Sequence, residues 1–192
     1  MPGRRPQRRR ALRGDGSGPI AMHDTKPEAL VADAPAANRR VRLAVPADVT
    51  TLVALMREFY AESGFGLDET WATAAFNHLI GDPGRGAAWI IEERGQPVGH
   101  LVLSVRFAME FGGLLAYVDD LFVRAEHRGK GAAGAALDAL VAECRRRGCR
   151  AIEVEVAPGN LPALGAYRRI GLLPGDDERQ HLRVLLAAPS PG

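Results

Sequence analysis

The sequence predicts an α/β (α+β) protein with one domain, built on a mixed, mostly antiparallel sheet that is flanked by helices. Segments with helical spacing of apolar residues are interspersed with segments in which alternate residues are apolar, as in strands. Three consecutive strand segments are joined by short turns, which favours antiparallel pairing because parallel neighbours need a long crossover. The chain has 192 residues and 46% hydrophobic content, which suffices for one sizeable core. The predicted order is β-α-α-β-β-β-α-β-α-β.

The first predicted elements are a short strand and two helices. Residues 41–43 alternate as a strand, and Pro46 follows at a helix start. Helical spacing then predicts a buried stripe at Leu52, Leu55, Met56 and Phe59. Asp68 is placed to cap a second helix that reaches about Ile80. This second helix carries three apolar residues on one side, namely Trp71, Ala75 and Leu79.

The rest of the chain supplies five strands and two helices. Three strands joined by turns are predicted at residues 87–92, 97–107 and 115–123. The remaining helix, strand, helix and strand are predicted at residues 131–147, 151–156, 162–170 and 181–186. Gly148 ends the first of these helices, and Pro162 lies in the first turn of the second.

The first 38 residues differ in composition from the rest. Six arginines fall within the first thirteen residues, and Gly, Pro and Ala without a sustained period follow. We therefore expect residues 1–38 to be a disordered tail and residues 39–188 to form the domain. The tail could touch nucleic acid or a membrane, or be an extension without function. We expect no nucleic-acid partner, because no aromatic residues interleave with the arginines.

Several function classes are disfavoured by composition. Two cysteines, Cys144 and Cys149, offer neither a disulfide framework nor a zinc ligand set, so we expect no metal. The basic start is not followed by an apolar signal region, and no apolar run approaches the ~18 residues of a membrane span. We therefore expect no membrane partner and a cytoplasmic setting.

A glycine-rich loop precedes the predicted helix at residues 131–147. Gly129, Gly131 and Gly134 have the spacing G-x-G-x-x-G, which is typical of dinucleotide-binding turns. Such a turn should follow its strand directly and open the first βαβ unit, whereas here five residues intervene and a three-stranded meander comes first. Free N–H groups at the helix start, with Arg128 and Lys130 beside them, favour binding of a pyrophosphate from another cofactor.

Three motifs in order give the chain a family resemblance. The strand end reads Asp-Leu-Phe-Val at residues 120–123, and the loop matches Arg/Gln-x-x-Gly-x-Gly/Ala through Arg128, Gly131 and Ala133. Asn160 is followed seven residues later by Tyr167 and then by Gly171-Leu172, where the family has Gly-Phe. Over about residues 40–187 the chain resembles the GNAT N-acetyltransferases. This resemblance implies acetyl-CoA as co-substrate, and dimers are common in the family, so a homodimer is compatible with it.

The resemblance also implies where acetyl-CoA binds. The pyrophosphate would lie on the loop and helix start, formed by Arg128, Gly129, Lys130, Gly131, Ala132, Ala133 and Gly134. The pantetheine arm would pair with the backbone of Leu121 and Val123, in a gap where the strands at 115–123 and 151–156 splay apart. A backbone N–H near Phe122 would polarise the thioester carbonyl. Asn160 would bind near the pantetheine, cap the following helix, or do both.

The proposed chemistry needs an acid and a base. Tyr167 is the candidate acid for the departing thiolate; the alternative is a tyrosine that only packs in the core. Asp119 and Asp120 are candidate bases: either could take the proton of the amine, directly or through water, or simply attract a cationic amine. The resemblance to spermidine/spermine acetyltransferases, which carry an acidic pair at the matching place, favours such a role. Adjacent residues on a regular strand point to opposite faces, so only one of them is expected to face the acceptor. Glu110 is a third candidate base.

Other side chains of interest are expected to be structural or to line the acceptor site. We interpret His100 and His127 as structural, since neither has a catalytic partner in view. We expect Phe76 in the core and Phe65 in the wall of the acceptor pocket.

The sequence therefore predicts an enzyme that transfers acetyl directly, in a ternary complex, to a primary amine. The acceptor stays open among polyamines, amino acids, aminoglycosides and protein amines. The alternative is a non-catalytic acyl-CoA-binding sensor on the same fold.

Overall fold

A computed structural model describes residues 38–174 of the protein. Apart from Asn38, the predicted tail lies outside these residues, as does the predicted last strand at residues 181–186. The helices are α1 Val49–Glu62, α2 Glu69–Gly81, α3 Ala132–Arg147 and α4 Leu161–Arg169. The strands are β1 Arg39–Leu43, β2 Gly86–Glu93, β3 Gln96–Ala108, β4 Gly113–Val123 and β5 Ala151–Val154. The predicted order is confirmed through α4.

One five-stranded sheet runs through the middle of the fold in the order β1-β2-β3-β4-β5. The first four strands pair antiparallel, as the short turns predicted, and β5 pairs parallel to β4 after the α3 crossover. One face of the sheet packs against α1 and α2, around buried residues such as Leu52 and Ile90. The other face packs against α3 and α4, around residues such as Leu101 and Leu137. Two apolar layers therefore sandwich the sheet.

Helix α2 buries a different side from the one the sequence predicts. Ala72 and Phe76 are buried at 0% and 4% exposure, whereas Trp71 is 58% exposed. Apolar residues lie nearly all round this helix, so its periodicity does not select one stripe. The predicted cap is confirmed: the Asp68 carboxylate accepts a hydrogen bond from the Trp71 backbone N–H at 3.0 Å. Phe76 takes the core place expected of it.

Strand β4 carries a β-bulge at Asp119. Val102 of β3 is paired with Asp120, but the next residue, Leu103, is paired with Val118, so Asp119 has no partner on β3. The extra residue reverses the alternation of the strand. Before the bulge Val118 packs in the α3 layer, and after it Phe122 packs in the α1 layer.

A charge cluster ties the end of α3 to the sheet. The buried carboxylate of Glu143 accepts hydrogen bonds from Arg146 and Arg147 at 2.6 and 2.7 Å. Arg147 also donates to the Gly86 carbonyl of β2 at 3.0 Å. Gly148 then ends the helix in the left-handed conformation, as predicted. Among residues 38–174 no helix has the length and apolar content needed to cross a membrane.

Candidate active site

Strands β4 and β5 pair over a short stretch and then separate. Their parallel pairing extends from Leu115–Ala151 to Val118–Val154, while β4 continues to Val123. Within the described part of the chain, residues 119–123 therefore have no strand partner on the β5 side. We call this side of residues 119–123 the open edge of β4. It begins at the bulge, because the bulge and the last β4–β5 pair are adjacent.

The antiparallel alternation decides which peptide groups face the open edge. Arg124 donates its backbone N–H to the Val98 carbonyl of β3 at 2.8 Å, so Phe122, two residues earlier, also directs its N–H to β3. The backbone N–H and carbonyl groups of Leu121 and Val123 therefore face the open edge. The Val123 carbonyl is consistent with this direction, since it accepts a hydrogen bond from the Arg128 side chain at 2.6 Å instead of from β3. If a backbone N–H near Phe122 polarises the thioester carbonyl, as expected from the sequence, it would be that of Leu121 or Val123.

The glycine-rich loop leads from β4 into α3. Gly129 and Gly131 have φ of 72° and 80°, a left-handed conformation that favours glycine. Gly131 directly precedes α3 and offers no side chain to cap it. The first backbone hydrogen bond at this helix start runs from the Ala135 N–H to the Gly131 carbonyl, at 3.0 Å. The N–H groups of residues 132–134 are consequently left for a ligand. This helix start fits a pyrophosphate.

The basic side chains of the loop hold its shape. Arg128 bonds to Val123, pairs with Glu62 of α1, and lies over the Phe122 ring at 5.7 Å. Lys130 donates to the Glu126 carbonyl at 2.8 Å. Both side chains, expected to add charge beside a phosphate, are bonded within the protein.

Two arginines that no sequence motif indicated flank the start of α3. Arg169 of α4 donates to the Gly134 carbonyl at 2.7 Å and pairs with Asp138 at 2.9 Å. A Cβ on Gly134 would lie 3.2 Å from Arg169, and one on Gly131 would lie 3.4 Å from Arg39 of β1. The glycines thus allow close approach of positive charge. Neither arginine belongs to a motif, so the sequence carried no signal for them.

The bulge brings Asp119 and Asp120 to one face, which corrects the expectation that they point apart. Asp120 is paired with Val102, which packs in the α1 layer, so Asp120 faces that layer. Asp119 hydrogen-bonds Ser104, two residues along β3 and on the same face. Desolvation among its neighbours raises the pKa of Asp119 although its side chain reaches solvent; the Ser104 hydrogen bond lowers it and the Asp120 charge raises it.

Further acidic and aromatic side chains surround this pair. Burial raises the pKa of Tyr60 of α1, and the charges of Asp120 and Asp119 add to the effect. Burial and the Glu155 charge raise the pKa of Tyr117 to about 12. The Tyr60 ring also meets Phe65 edge-to-face, with centroids 6.4 Å apart, and Phe65 is 69% exposed. The face beside the open edge is therefore acidic with aromatic walls.

Glu110 lies apart from this face. Glu110 lies in the turn between β3 and β4, three residues before β4 begins at Gly113. Along β4, Asp119 is six residues from Gly113, or about 20 Å at roughly 3.3 Å per residue. The structure thus separates Glu110 from the carboxylate pair.

Tyr167 is the buried residue of α4, at 7% exposure. Burial raises the pKa of Tyr167, and the charge of Asp120 raises it further. Its hydroxyl is therefore protonated at neutral pH, as an acid requires. Asn160 caps the same helix, since its side-chain oxygen accepts the Ala163 backbone N–H at 3.2 Å. The capping role expected of Asn160 is confirmed.

The two histidines differ. His127 bonds Glu93 at 2.7 Å through Nδ1, which fastens the loop to β2 and agrees with a structural role. His100 is fully buried, with Nε2 at 3.8 Å from the nearer oxygen of Asp120. No partner for His100 is evident in the sequence, because Asp120 lies on the next strand, 20 residues away.

A sheet opened beside a bulged strand, with a glycine-rich helix start at its end, defines the class of acyltransferases that use acetyl-CoA. Residues 51–172 match the family model described as Acetyltransferase (GNAT) family. This match covers more than half of the chain, so the chain belongs to that family. The protein is an acetyltransferase with acetyl-CoA as co-substrate.

Solved structures agree with this assignment. An integron cassette protein from the mobile metagenome of Cole Harbour Salt Marsh is 43% identical over 78% of this chain and 91% of its own, with a TM-score of 0.68. A predicted acetyltransferase with acetyl-CoA from Clostridium acetobutylicum is 22% identical over 76% and 96%, with a TM-score of 0.65.

AAC(6')-Iy in complex with the bisubstrate analogue CoA-S-monomethyl-acetylneamine is 15% identical over 78% and 100%, with a TM-score of 0.67. At such low identities, this structure and the Clostridium structure show a likeness of fold. Comparison with curated protein sequences gives no significant match.

Proposed function

We propose that the protein transfers the acetyl group of acetyl-CoA directly to a cationic primary amine, with both substrates bound together. One observation carries this proposal: the bulge of β4 turns Asp119 and Asp120 to one face, at the start of the open edge. Two carboxylates there attract an ammonium group and can take its proton. Holding both substrates in line supplies much of the remaining rate.

The co-substrate would be held by backbone groups. The N–H groups of residues 132–134, with Gly129 and Gly131 shaping the loop, would bind the pyrophosphate. Leu121 and Val123 would pair with the pantetheine and polarise the thioester carbonyl, with Phe122 as the side chain beneath them. The open edge and the uncapped start of α3 both fit this placement.

Proton accounting gives the side chains their roles. An ammonium acceptor carries three N–H bonds and the product amide keeps one, so two protons leave the nitrogen. One is taken by the carboxylate pair and passes to solvent. Tyr167 gives its proton to the sulfur as the C–S bond breaks, and regains one from the amine through Asp120, whose charge acts on it.

The acceptor side favours a small molecule with more than one positive charge. Glu153 of β5 and Glu155, which follows the strand, act electrostatically on Tyr117, and Asp119 and Asp120 lie on β4. Glu153 also pairs with Arg106 at 3.4 Å, an exposed pair that water screens. The exposed Phe65 ring offers a face to a cation. Polyamines and aminoglycosides have this chemistry.

A thiol-release assay over an amine panel tests the proposal. Acetyl-CoA is offered with polyamines, aminoglycosides, amino acids and peptides with free N-termini. We expect turnover of the polycationic amines, lost in Asp120→Asn while acetyl-CoA still binds by calorimetry. Turnover of uncharged acceptors alone, or no turnover of any amine, would contradict the proposal.

A further inference from the structure

His100 is the unexplained polar residue of the α1 layer. Its side chain has 0% exposure, and neither ring nitrogen has a hydrogen-bond partner among residues 38–174. Buried polar groups in native proteins are nearly always paired, so an unpaired imidazole calls for a reason. Nε2 lies 3.8 Å from Asp120, beyond the ~3.2 Å limit of a hydrogen bond and within reach of a small side-chain movement.

Apolar rings and carboxylates surround the imidazole. The rings of Phe122 and Phe59 lie 5.9 and 6.3 Å away, and β2 contributes Ile90, the cross-strand partner of His100. On α1 the hydrogen bonds from Arg124 lower the pKa of Glu58, and a positive charge on His100 would add to that effect.

Three more titratable groups complete the surroundings. Asp120 and Asp119 lie on β4, and Tyr60 of α1 interacts with both. A positive charge on His100 could therefore be compensated by the carboxylate of Asp120, 3.8 Å away, and by that of Glu58, which interacts with His100 electrostatically. This setting suits an imidazole that becomes charged for part of a cycle.

We propose that His100 is a positioning residue for Asp120: in the complex with acceptor its Nε2 hydrogen-bonds the Asp120 carboxyl group and receives the proton that Asp120 removes from the amine. The proposal rests on the proposed function. It adds a residue for which the family motifs hold no place.

The proton transfers balance. An N–H bond of the ammonium breaks as an O–H bond forms on Asp120, and the nitrogen keeps the electron pair that attacks the acetyl carbon. The O–H bond then breaks as Nε2–H forms, which leaves Asp120 a carboxylate again and His100 an imidazolium. After product release the proton returns through Asp120 to solvent. Asp120 is thus ready for the second proton of the amine.

A first experiment tests the coupling of the two residues without any acceptor. Full-length protein with ¹⁵N-labelled histidines is saturated with CoA, and the ring nitrogens are followed by NMR from pH 5 to pH 9, a range in which an ordinary histidine titrates (pKa about 6.5). His100→Gln and His78→Gln assign the signals, since His78 lies exposed on α2.

We expect His100 to titrate, with a midpoint lower by at least about one pH unit in Asp120→Asn, where a neighbouring negative charge is lost. An imidazole that stays neutral throughout, or an unchanged midpoint in Asp120→Asn, would overturn the proposal. This result is independent of the amine panel, so failure of the panel and failure of the His100 proposal can be told apart.

A second experiment uses the best acceptor of the panel. In His100→Phe we expect undiminished thermal stability, because an unpaired polar group is removed, together with kcat lowered at least about tenfold and a displaced acid limb of kcat/KM. His78→Phe is the matched control, and we expect it to keep the wild-type kcat and the wild-type acid limb of kcat/KM. Normal kcat and an unchanged pH profile in His100→Phe, or full activity in His100→Gln, which cannot take the proton, would contradict the proposal. If His100→Phe fails to fold, the NMR titration decides.

Discussion

Gly131 and Gly148, the residues that flank α3 at its two ends, share the left-handed conformation, with φ of 80° and 72°. A Cβ at either position costs about 1–2 kcal/mol of backbone strain. We expect Gly131→Ala and Gly148→Ala to lower Tm by similar amounts, roughly 2–8 °C. Only Gly131→Ala should weaken acetyl-CoA binding, by about tenfold, because it alone lies at the proposed pyrophosphate site.

Calorimetric titration of both variants with acetyl-CoA checks this expectation, and thermal unfolding supplies the Tm. Equal affinities in the two variants would show that the start of α3 does not hold the co-substrate.

Removal of the Tyr167 hydroxyl should affect chemistry and not binding. In Tyr167→Phe the ring still packs in the α4 layer, so the fold and the affinity for acetyl-CoA are expected to stay unchanged. The acid is lost, and kcat should fall by about 10²-fold, the lower end of what a positioned acid contributes. Thiol release measures kcat and calorimetry measures binding. A normal kcat would return Tyr167 to a packing role.

The carboxylate pair should set the acid limb of activity. A base must be deprotonated, and the pKa of Asp119 is raised above that of an ordinary aspartate. As the pH is lowered, kcat/KM should therefore begin to fall at a higher pH than it would for a base with an ordinary carboxyl pKa. We expect Asp119→Asn to move this limb to lower pH and Asp120→Asn to abolish most turnover.

The control is Asp82→Asn, in the turn between α2 and β2, where the carboxylate is 53% exposed. It should reproduce the wild-type profile. An acid limb that both site variants leave in place would mean that another group is the base.

Glu143 should stabilise the fold in a pH-dependent way. Hydrogen bonds from Arg146 lower the pKa of Glu143 to about 2, against 4.5 in its ordinary state. A lowered carboxyl pKa stabilises above the ordinary value, and the contribution is lost as pH falls from 4.5 towards 2. Since Arg146 is 69% exposed, solvent screens the pair, and Glu143→Gln should cost about 1–2 kcal/mol at pH 7.

Urea unfolding at pH 7 and at pH 3 measures the difference, which should narrow at the lower pH. Glu69→Gln is the matched control, because its pairing with Arg57 is more than half exposed and should be worth under about 1 kcal/mol. If the two substitutions lowered the free energy of unfolding by the same amount, the proposed structural role of Glu143 would be wrong.

The described elements were predictable because each has a local cause. Asp68 and Asn160 cap their helices, Gly148 ends α3, and the alternating strands pair through short turns. The loop and the positions of Tyr167 and the aspartates also followed from motifs at fixed spacing.

What the sequence hid depends on register between distant segments. Because α2 has apolar residues on both sides, its sequence allows either Trp71 or Phe76 to face the sheet. In the structure Phe76 is buried where α2 packs against β2, and Trp71 is exposed. One feature of the sequence is consistent with the bulge at Asp119: Val118 and Leu121 are apolar and lie on the same face although they are three residues apart. Because Phe122 is also apolar, the sequence can equally be interpreted as a regular strand without a bulge. The approach of His100 to Asp120 follows from that register and has no local sign.

The bulge also shapes how this protein can change. Deletion of Asp119 would remove the unpaired residue and leave the pairing of Val118 and Asp120 with β3 as it is, so residues 120–123 would keep their sides of the sheet. Loss of this one codon would therefore spare both hydrophobic layers and remove one carboxylate from the acidic face. Evolution can thus retune the charge offered to the acceptor by shortening β4 at the bulge as well as by substitution.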